Sequence, residues 1–201
     1  MSALYEKYKG FTMVPEATFD ANIELAASVT VKGCVVECGV WKGGMIAAMA
    51  ETMGKNRHYC LFDSFEGLPP AQEIDGWAAQ EYQRNTEAPN YYDNCRVDAD
   101  FAMQAMEMSG ASYSIYAGWF GDTLPKLLAP IAVLRLDGDW YSSTMTCLTS
   151  LYDQVAPGGL VIIDDFFAWE GCANATLEFF SSVKQPINFD SRTGMCWVVK
   201  T

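Results

Sequence analysis

The sequence predicts an α/β fold: a doubly wound, mostly parallel sheet with helices on both faces, Rossmann-like, its last strand antiparallel. Three observations predict it. Short β-branched apolar runs alternate with segments of helical spacing along the chain. The first such run leads through a glycine turn into a helix. Parallel neighbours need crossover connections, and the intervening helices supply them.

The elements follow in order. Pro15 to Ser28 carries Ala17, Ile23, Ala26 and Ala27 near helical spacing and reads as a covering helix, with Pro15 suited to its first turn. Gly33 to Val40 is a strand that runs into Gly39, Gly43 and Gly44 before the helical MIAAMAETMG closes at Gly54. His58 to Phe62 forms a second strand ending in Asp63, CRVDADFAMQAMEMSG a helix, and SYSIYAGWF a third strand. Strands over Ile131 to Leu136 and Leu160 to Ile163 flank a helix with Met145, Leu148, Tyr152 and Val155 on one face, its end marked by PGG. A helix near Cys172 to Val183 and closing strands around Ile187 and Met195 to Val199 complete the pattern. Between Glu66 and Asp93 the pattern breaks into a loop-like stretch with six acids, one base and the aromatics Trp77, Tyr82, Tyr91 and Tyr92; loops of this length are typically functional.

With 201 residues, half of them apolar, the chain suits one domain spanning 1–201, with 1–32 as an N-terminal covering segment and 66–93 as a lid or acceptor loop. Its net charge of −12 repels phosphate backbones and anionic membrane surfaces, so nucleic acid and membrane are not expected partners. Seven cysteines, an odd number with no C-x-x-C pair, read as reduced core thiols. No run approaches the roughly 20 apolar residues of a membrane span, and the first residues lack the pattern of a signal peptide, so the expected location is cytoplasmic. Exposed aromatics in the lead-in, Tyr5, Tyr8 and Phe11, make a homodimer the expected assembly.

The chemistry concentrates at strand ends. In E-C-G-V-W-K-G-G an acid precedes a single turn glycine, unlike the G-x-G-x-x-G dinucleotide fingerprint, and Glu37 could hold an ammonium; a plain turn packing helix on strand is the alternative. Asp63 stands where such folds present a carboxylate to a ribose, although DSFEGLPP is equally good turn chemistry. Asp137 and Asp139 end one buried strand, and Asp164 and Asp165 end the next. Neighbouring parallel strands would bring these ends about 4.8 Å apart on one sheet edge, where four carboxylates repel one another unless a cation neutralises them. Oxygen ligands without histidine or cysteine select magnesium, calcium or manganese over zinc. Turn formation at Asp137-Gly138-Asp139 and helix capping at Asp164-Asp165 are the structural alternative. An EF-hand, a phosphate-binding G-x-x-x-x-G-K-[ST] loop and a histidine-dependent triad are all excluded by missing residues.

Taken together, FTMVPEA, VVECGVWKGG, FDSFEGLP, GWFGDTLP, LRLDGDWYSST and PGGLVIIDDF resemble the macrocin O-methyltransferase family, from about Phe11 to Trp197. The resemblance implies a class I methyltransferase using S-adenosylmethionine and Mg2+, or another hard divalent cation, to methylate a hydroxyl of a small molecule such as a sugar. It places Glu37, Gly39 and Val40 beside the methionine part of the cofactor and Asp63 and Ser64 at the ribose. Thr12 and Met13 close over it, Gly118 and Trp119 border the adenine, and Asp137 lies at both cofactor and metal. Asp137, Asp164 and Asp165 fall on the metal ligands, and Asp139 on the general base. Competing readings are a metal-independent N- or C-methyltransferase and a non-catalytic nucleoside- or metal-binding protein. Acceptor specificity does not carry over.

Overall fold

A computed structural model describes residues 2–201. Helices α1 (Ala3–Tyr8) and α2 (Glu16–Ala27) precede β1 (Cys34–Cys38), α3 (Gly44–Met53) and β2 (Tyr59–Asp63). Then come α4 (Gly76–Arg84), α5 (Ala99–Ser109), β3 (Tyr113–Ala117), the single turn α6 (Phe120–Thr123) and β4 (Ile131–Leu136). The chain ends with α7 (Tyr141–Leu151), β5 (Val155–Ile163), α8 (Glu170–Ser182), β6 (Asn188–Asp190) and β7 (Met195–Val199).

The seven strands form one sheet in the order β3-β2-β1-β4-β5-β7-β6. Neighbours from β3 to β5 are parallel, whereas β7 pairs antiparallel with both β5 and β6. The fold class is therefore as expected. Strand order reverses between β1 and β4, which opens a crevice at their carboxyl ends, where open α/β sheets bind ligands.

Alternation along the strands sorts the core into two layers. Val35, Leu61, Val133 and Ile162 pack on one face beneath α1, α2, α3 and α5, through Tyr8, Phe19, Met49 and Met106. Val36, Phe62, Leu134 and Val161 pack on the other beneath α7 and α8, through Leu148, Leu151 and Phe180. Each such fully buried side chain contributes about 1.5–3 kcal/mol relative to exposure. Asp98 caps α5 by accepting from Asp100 N at 3.0 Å, and Gly110 closes that helix in the left-handed conformation.

Four expectations are corrected. The 66–93 stretch is not all loop, because it contains the nine-residue α4, whose covered side is largely polar, with Gln80 and Gln83 beside the buried Ala79. Val155 begins β5, so the PGG glycines lie within that strand; the buried face of α7 is Thr144, Cys147, Leu148 and Leu151, and Met145 is only partly covered. The third strand stops at Ala117, since Phe120 starts the turn of α6. The aromatic lead-in is not exposed. Tyr8 is fully buried with its hydroxyl donating to Glu51, Tyr5 packs edge-on against Phe19, and Phe11 lines the crevice, so the observation behind the dimer expectation does not hold.

Among the described residues, no helix is long and apolar enough to cross a membrane.

Candidate active site

The crevice is a cavity of about 350 Å³ at the carboxyl ends of β1, β2, β4 and β5. Its wall includes Thr12, Met13, Glu37, Gly39, Val40 and Asp63, and also Ser64, Trp119 and all four aspartates Asp137, Asp139, Asp164 and Asp165. Gly118 is not part of the wall; its N–H donates to the Asp63 carbonyl at 2.9 Å and so supports Trp119 from behind.

Backbone proximity explains the first glycine. Gly39 has φ +86°, and a Cβ there would fall 1.6 Å from the Asp137 carbonyl oxygen, so only glycine lets the ends of β1 and β4 close on each other. Asp137 N donates to Cys38 O at 2.8 Å across this contact. Asp63 also organises the turn. Its carboxylate accepts from the N–H groups of Val40 at 2.8 Å, Trp41 at 2.9 Å and Phe65 at 2.7 Å. Trp41 and Phe65 are both held at positive φ by this arrangement. Burial raises the Asp63 pKa and the three N–H bonds oppose that rise.

The paired strands β4 and β5 bring the acids together as their register requires, with Leu136 beside Ile163. Carboxylate oxygens of Asp137, Asp164 and Asp165 lie within 4.8 Å of one another. These hard-oxygen donors fit a divalent cation such as magnesium. Asp139 sits at φ +57°, its N–H donating to Asp165 Oδ2 at 3.1 Å and its Oδ1 accepting from Trp169 Nε1 at 2.8 Å. Burial, reinforced by Asp137, pushes the Asp139 carboxyl up to about 8, while the Trp169 bond pulls it down. Burial and the neighbouring Asp139, Asp137 and Asp164 hold the Asp165 carboxyl well above the usual range.

A residue that the sequence reading did not single out lies at the centre. Arg135, 1% exposed, extends from β4 beneath the cavity. Its Nη1 donates to Glu37 Oε1 at 2.6 Å and to Asp137 Oδ2 at 2.7 Å, and Nη2 lies 2.5 Å from Asp164 Oδ1. The cation that the converging acids call for is thus partly supplied by the chain itself. Its signal was available: an arginine inside the otherwise apolar IAVLRL. Burial acts to lower the Arg135 pKa, but Asp164, Asp137 and Glu37 outweigh it and keep the group charged. Burial lifts Asp164 to about 6 against the pull of Arg135, and lifts Glu37 to about 8. Glu37 is occupied only on one side. Its Oε2 is buried with no hydrogen-bond partner among the described residues, a vacancy that suits a cationic N–H donor.

The 66–93 segment roofs this crevice and is pinned in place. Asp75, 2% exposed, accepts from Tyr141 N at 2.7 Å and Gln72 N at 2.8 Å, tying the segment to the start of α7. Gly171 makes room for it, since a Cβ there would meet Asp75 Oδ1 at 2.3 Å. Trp140 Nε1 donates to Pro69 O at 2.8 Å. Tyr82 and Tyr92 from the segment join Trp41 and Trp169 in an aromatic wall facing the acids.

The family model described as Macrocin-O-methyltransferase (TylF) matches residues 7–198. Demethyldecarbamoylnovobiocin O-methyltransferase of Streptomyces niveus is 35% identical over 181 residues, which cover 83% of this chain and 66% of that protein. Mycinamicin III 3''-O-methyltransferase of Micromonospora griseorubida is 30% identical over 191 residues, covering 87% and 72%. The chain spans about two thirds of the length of these relatives. Among solved structures, the O-methyltransferase NovP is similar with a TM-score of 0.80 and 27% identity, over 95% of this chain and 82% of that one. The calicheamicin methyltransferase CalS11 shares the fold with a TM-score of 0.69 at 18% identity, over 90% and 77%.

Proposed function

The chain belongs to the macrocin O-methyltransferase family, and on that premise we propose that it transfers a methyl group from S-adenosylmethionine to a hydroxyl of a small polyhydroxylated acceptor, such as a sugar, assisted by a divalent metal, magnesium by preference. The observation that carries this reading is the convergence of Asp137, Asp164 and Asp165 beside Asp139 on the edge where Glu37 leaves one oxygen unpaired.

When bound, S-adenosylmethionine would supply the electrophilic methyl, its sulfur keeping the electron pair of the broken bond so that the product is S-adenosylhomocysteine. Glu37 Oε2 binds the amino group of its methionine part, with Gly39 and Val40 giving close backbone approach. Asp63 and Ser64 would face the ribose and Trp119, backed by Gly118, the adenine, while Thr12 and Met13 cover the cavity. Asp137, Asp164 and Asp165 would hold the metal, whose chemistry would be to lower the pKa of an acceptor hydroxyl.

Asp139 takes the proton as the acceptor oxygen forms its bond to carbon. Its Oδ1 is held by Trp169, leaving Oδ2 for that proton, and burial, which favours the protonated carboxyl, suits it to take one. The aromatic wall of Trp41, Tyr82, Tyr92 and Trp169 excludes water and offers ring faces to the C–H surface of a sugar.

One observation favours a second reading, metal-independent transfer: Arg135 already neutralises part of the charge on Asp137 and Asp164. Calorimetry on chelator-stripped protein separates the two. S-adenosylhomocysteine binding together with a magnesium signal abolished in an Asp164→Asn, Asp165→Asn double variant supports the metal-dependent reading. Cofactor binding and turnover that chelator leaves intact support the second, and absence of cofactor binding refutes both.

A further inference from the structure

Arg135 does more than offset charge. Among the described residues, it is the one side chain paired with acids of both subsites: Glu37 at the end of β1 and Asp137 and Asp164 at the ends of β4 and β5. The guanidinium is itself oriented. Its Nε donates to Asn22 Oδ1 at 3.2 Å, and Asn22, fully buried on α2, is fixed by donating to Thr18 O at 2.9 Å and to Met195 Sδ at 3.0 Å. A buried asparagine on the core face of a helix is costly unless every polar atom has a partner, and here each does.

We propose that Arg135 is a positioning residue that presets both subsites at once: by donating from Nη1 to one oxygen each of Glu37 and Asp137, and by lying against Asp164 as a charge partner at Nη2, it turns their remaining oxygens toward the cavity. The proposal rests on the methyltransferase reading above. A planar fork with donors at fixed angles can hydrogen-bond Glu37 and Asp137 while keeping its second nitrogen against Asp164, whereas a lysine ammonium is a compact charge on a flexible stem without that fixed geometry. Geometry, rather than charge alone, is then what the arginine contributes.

The test uses chelator-stripped wild type, Arg135→Lys and Asn22→Ala, with Mn2+ binding read by electron paramagnetic resonance and S-adenosylhomocysteine binding by calorimetry. Arg135→Lys keeps the charge, so a change in affinity reports position. Both affinities are expected to fall together in Arg135→Lys, by about 10-fold to 100-fold, as when partners of metal ligands are lost. A smaller joint fall is expected in Asn22→Ala, which leaves every charge in place. A lowered melting temperature with both dissociation constants unchanged overturns the proposal and leaves Arg135 a purely structural ion pair; so does a fall confined to one probe. If Arg135→Lys does not fold, Asn22→Ala decides alone, unchanged affinities overturning the proposal. Wild type that binds neither probe refutes the methyltransferase reading and this inference with it.

Discussion

Trp169 Nε1 donates a 2.8 Å hydrogen bond to Asp139 Oδ1, joining the loop after β5 to the loop after β4 at the point where the acids face the cavity. The bond selects which carboxylate oxygen is free and lowers a pKa that burial raises. Trp169→Phe keeps the ring that packs against Trp140 and Tyr82 but removes the donor. Turnover is expected to fall by about 100-fold, the cost of a slightly misplaced catalytic group, and the rising limb of the pH–rate profile to move to higher pH. A profile that stays in place would separate Trp169 from the base.

Asp139→Asn removes the proton acceptor and leaves Asp137, Asp164 and Asp165 untouched. Turnover with a competent acceptor is expected to drop by about 10²-fold to 10⁴-fold, while S-adenosylhomocysteine binding measured by calorimetry stays within a few-fold of wild type. Unchanged turnover would mean that the acceptor loses its proton by another route.

The raised carboxyls predict how stability depends on pH. Glu37 and Asp139 are lifted to about 8 and Asp164 to about 6, by burial in each case, against roughly 4 in an unfolded chain. Between those values the folded state binds more protons than the unfolded one. The stability these groups contribute is thus complete below about pH 4 and is lost as pH rises through about 6 and then 8. Melting temperature in chelator should fall from pH 6 to pH 8.5, and magnesium should restore most at the alkaline end, where the ligands are ionised. A curve that rises over this interval would contradict the assignment.

Asp75 ties the roof of the cavity to α7. Asp75→Ala removes the shared acceptor of the half-covered Tyr141 N–H and the exposed Gln72 N–H and is expected to cost about 0.5–1.5 kcal/mol for each bond lost. Gly171→Ala should act through the same contact, because its Cβ would displace the Asp75 carboxylate. Denaturant melts give the loss, and hydrogen exchange should show it concentrated in 66–93. Exchange spread evenly over the sheet would refute the link.

Much of the fold and of the site was legible in the chain. Cys34 to Cys38, Ile131 to Leu136 and Leu160 to Ile163 are short and, apart from Glu37 and Arg135, β-branched or apolar, which marks strands covered on both faces. Asp137, Asp139, Asp164 and Asp165 directly follow the last two, so their convergence needed only that consecutive parallel strands be neighbours, as β4 and β5 are. Helix α4 was not legible, because its covered side is largely polar, with Gln80 and Gln83 beside the one buried alanine.

Strand identity and the parallel run thus belong to the sequence itself, since local hydrophobic pattern selects the strands and the intervening helices make them parallel, collecting their carboxyl ends on one edge, whereas the order of the strands in the sheet came from the tertiary structure. The tertiary structure alone decided what each acid touches. Arg135 meets Glu37 across 98 positions, Asp139 meets Trp169 across 30, and Asp75 meets Tyr141 across 66. Such pairings depend on sheet register, on the turn that Gly39 permits and on where the 66–93 segment docks. A hydrogen bond between residues this far apart leaves no local signature, because its geometry exists only after the elements carrying both partners have packed.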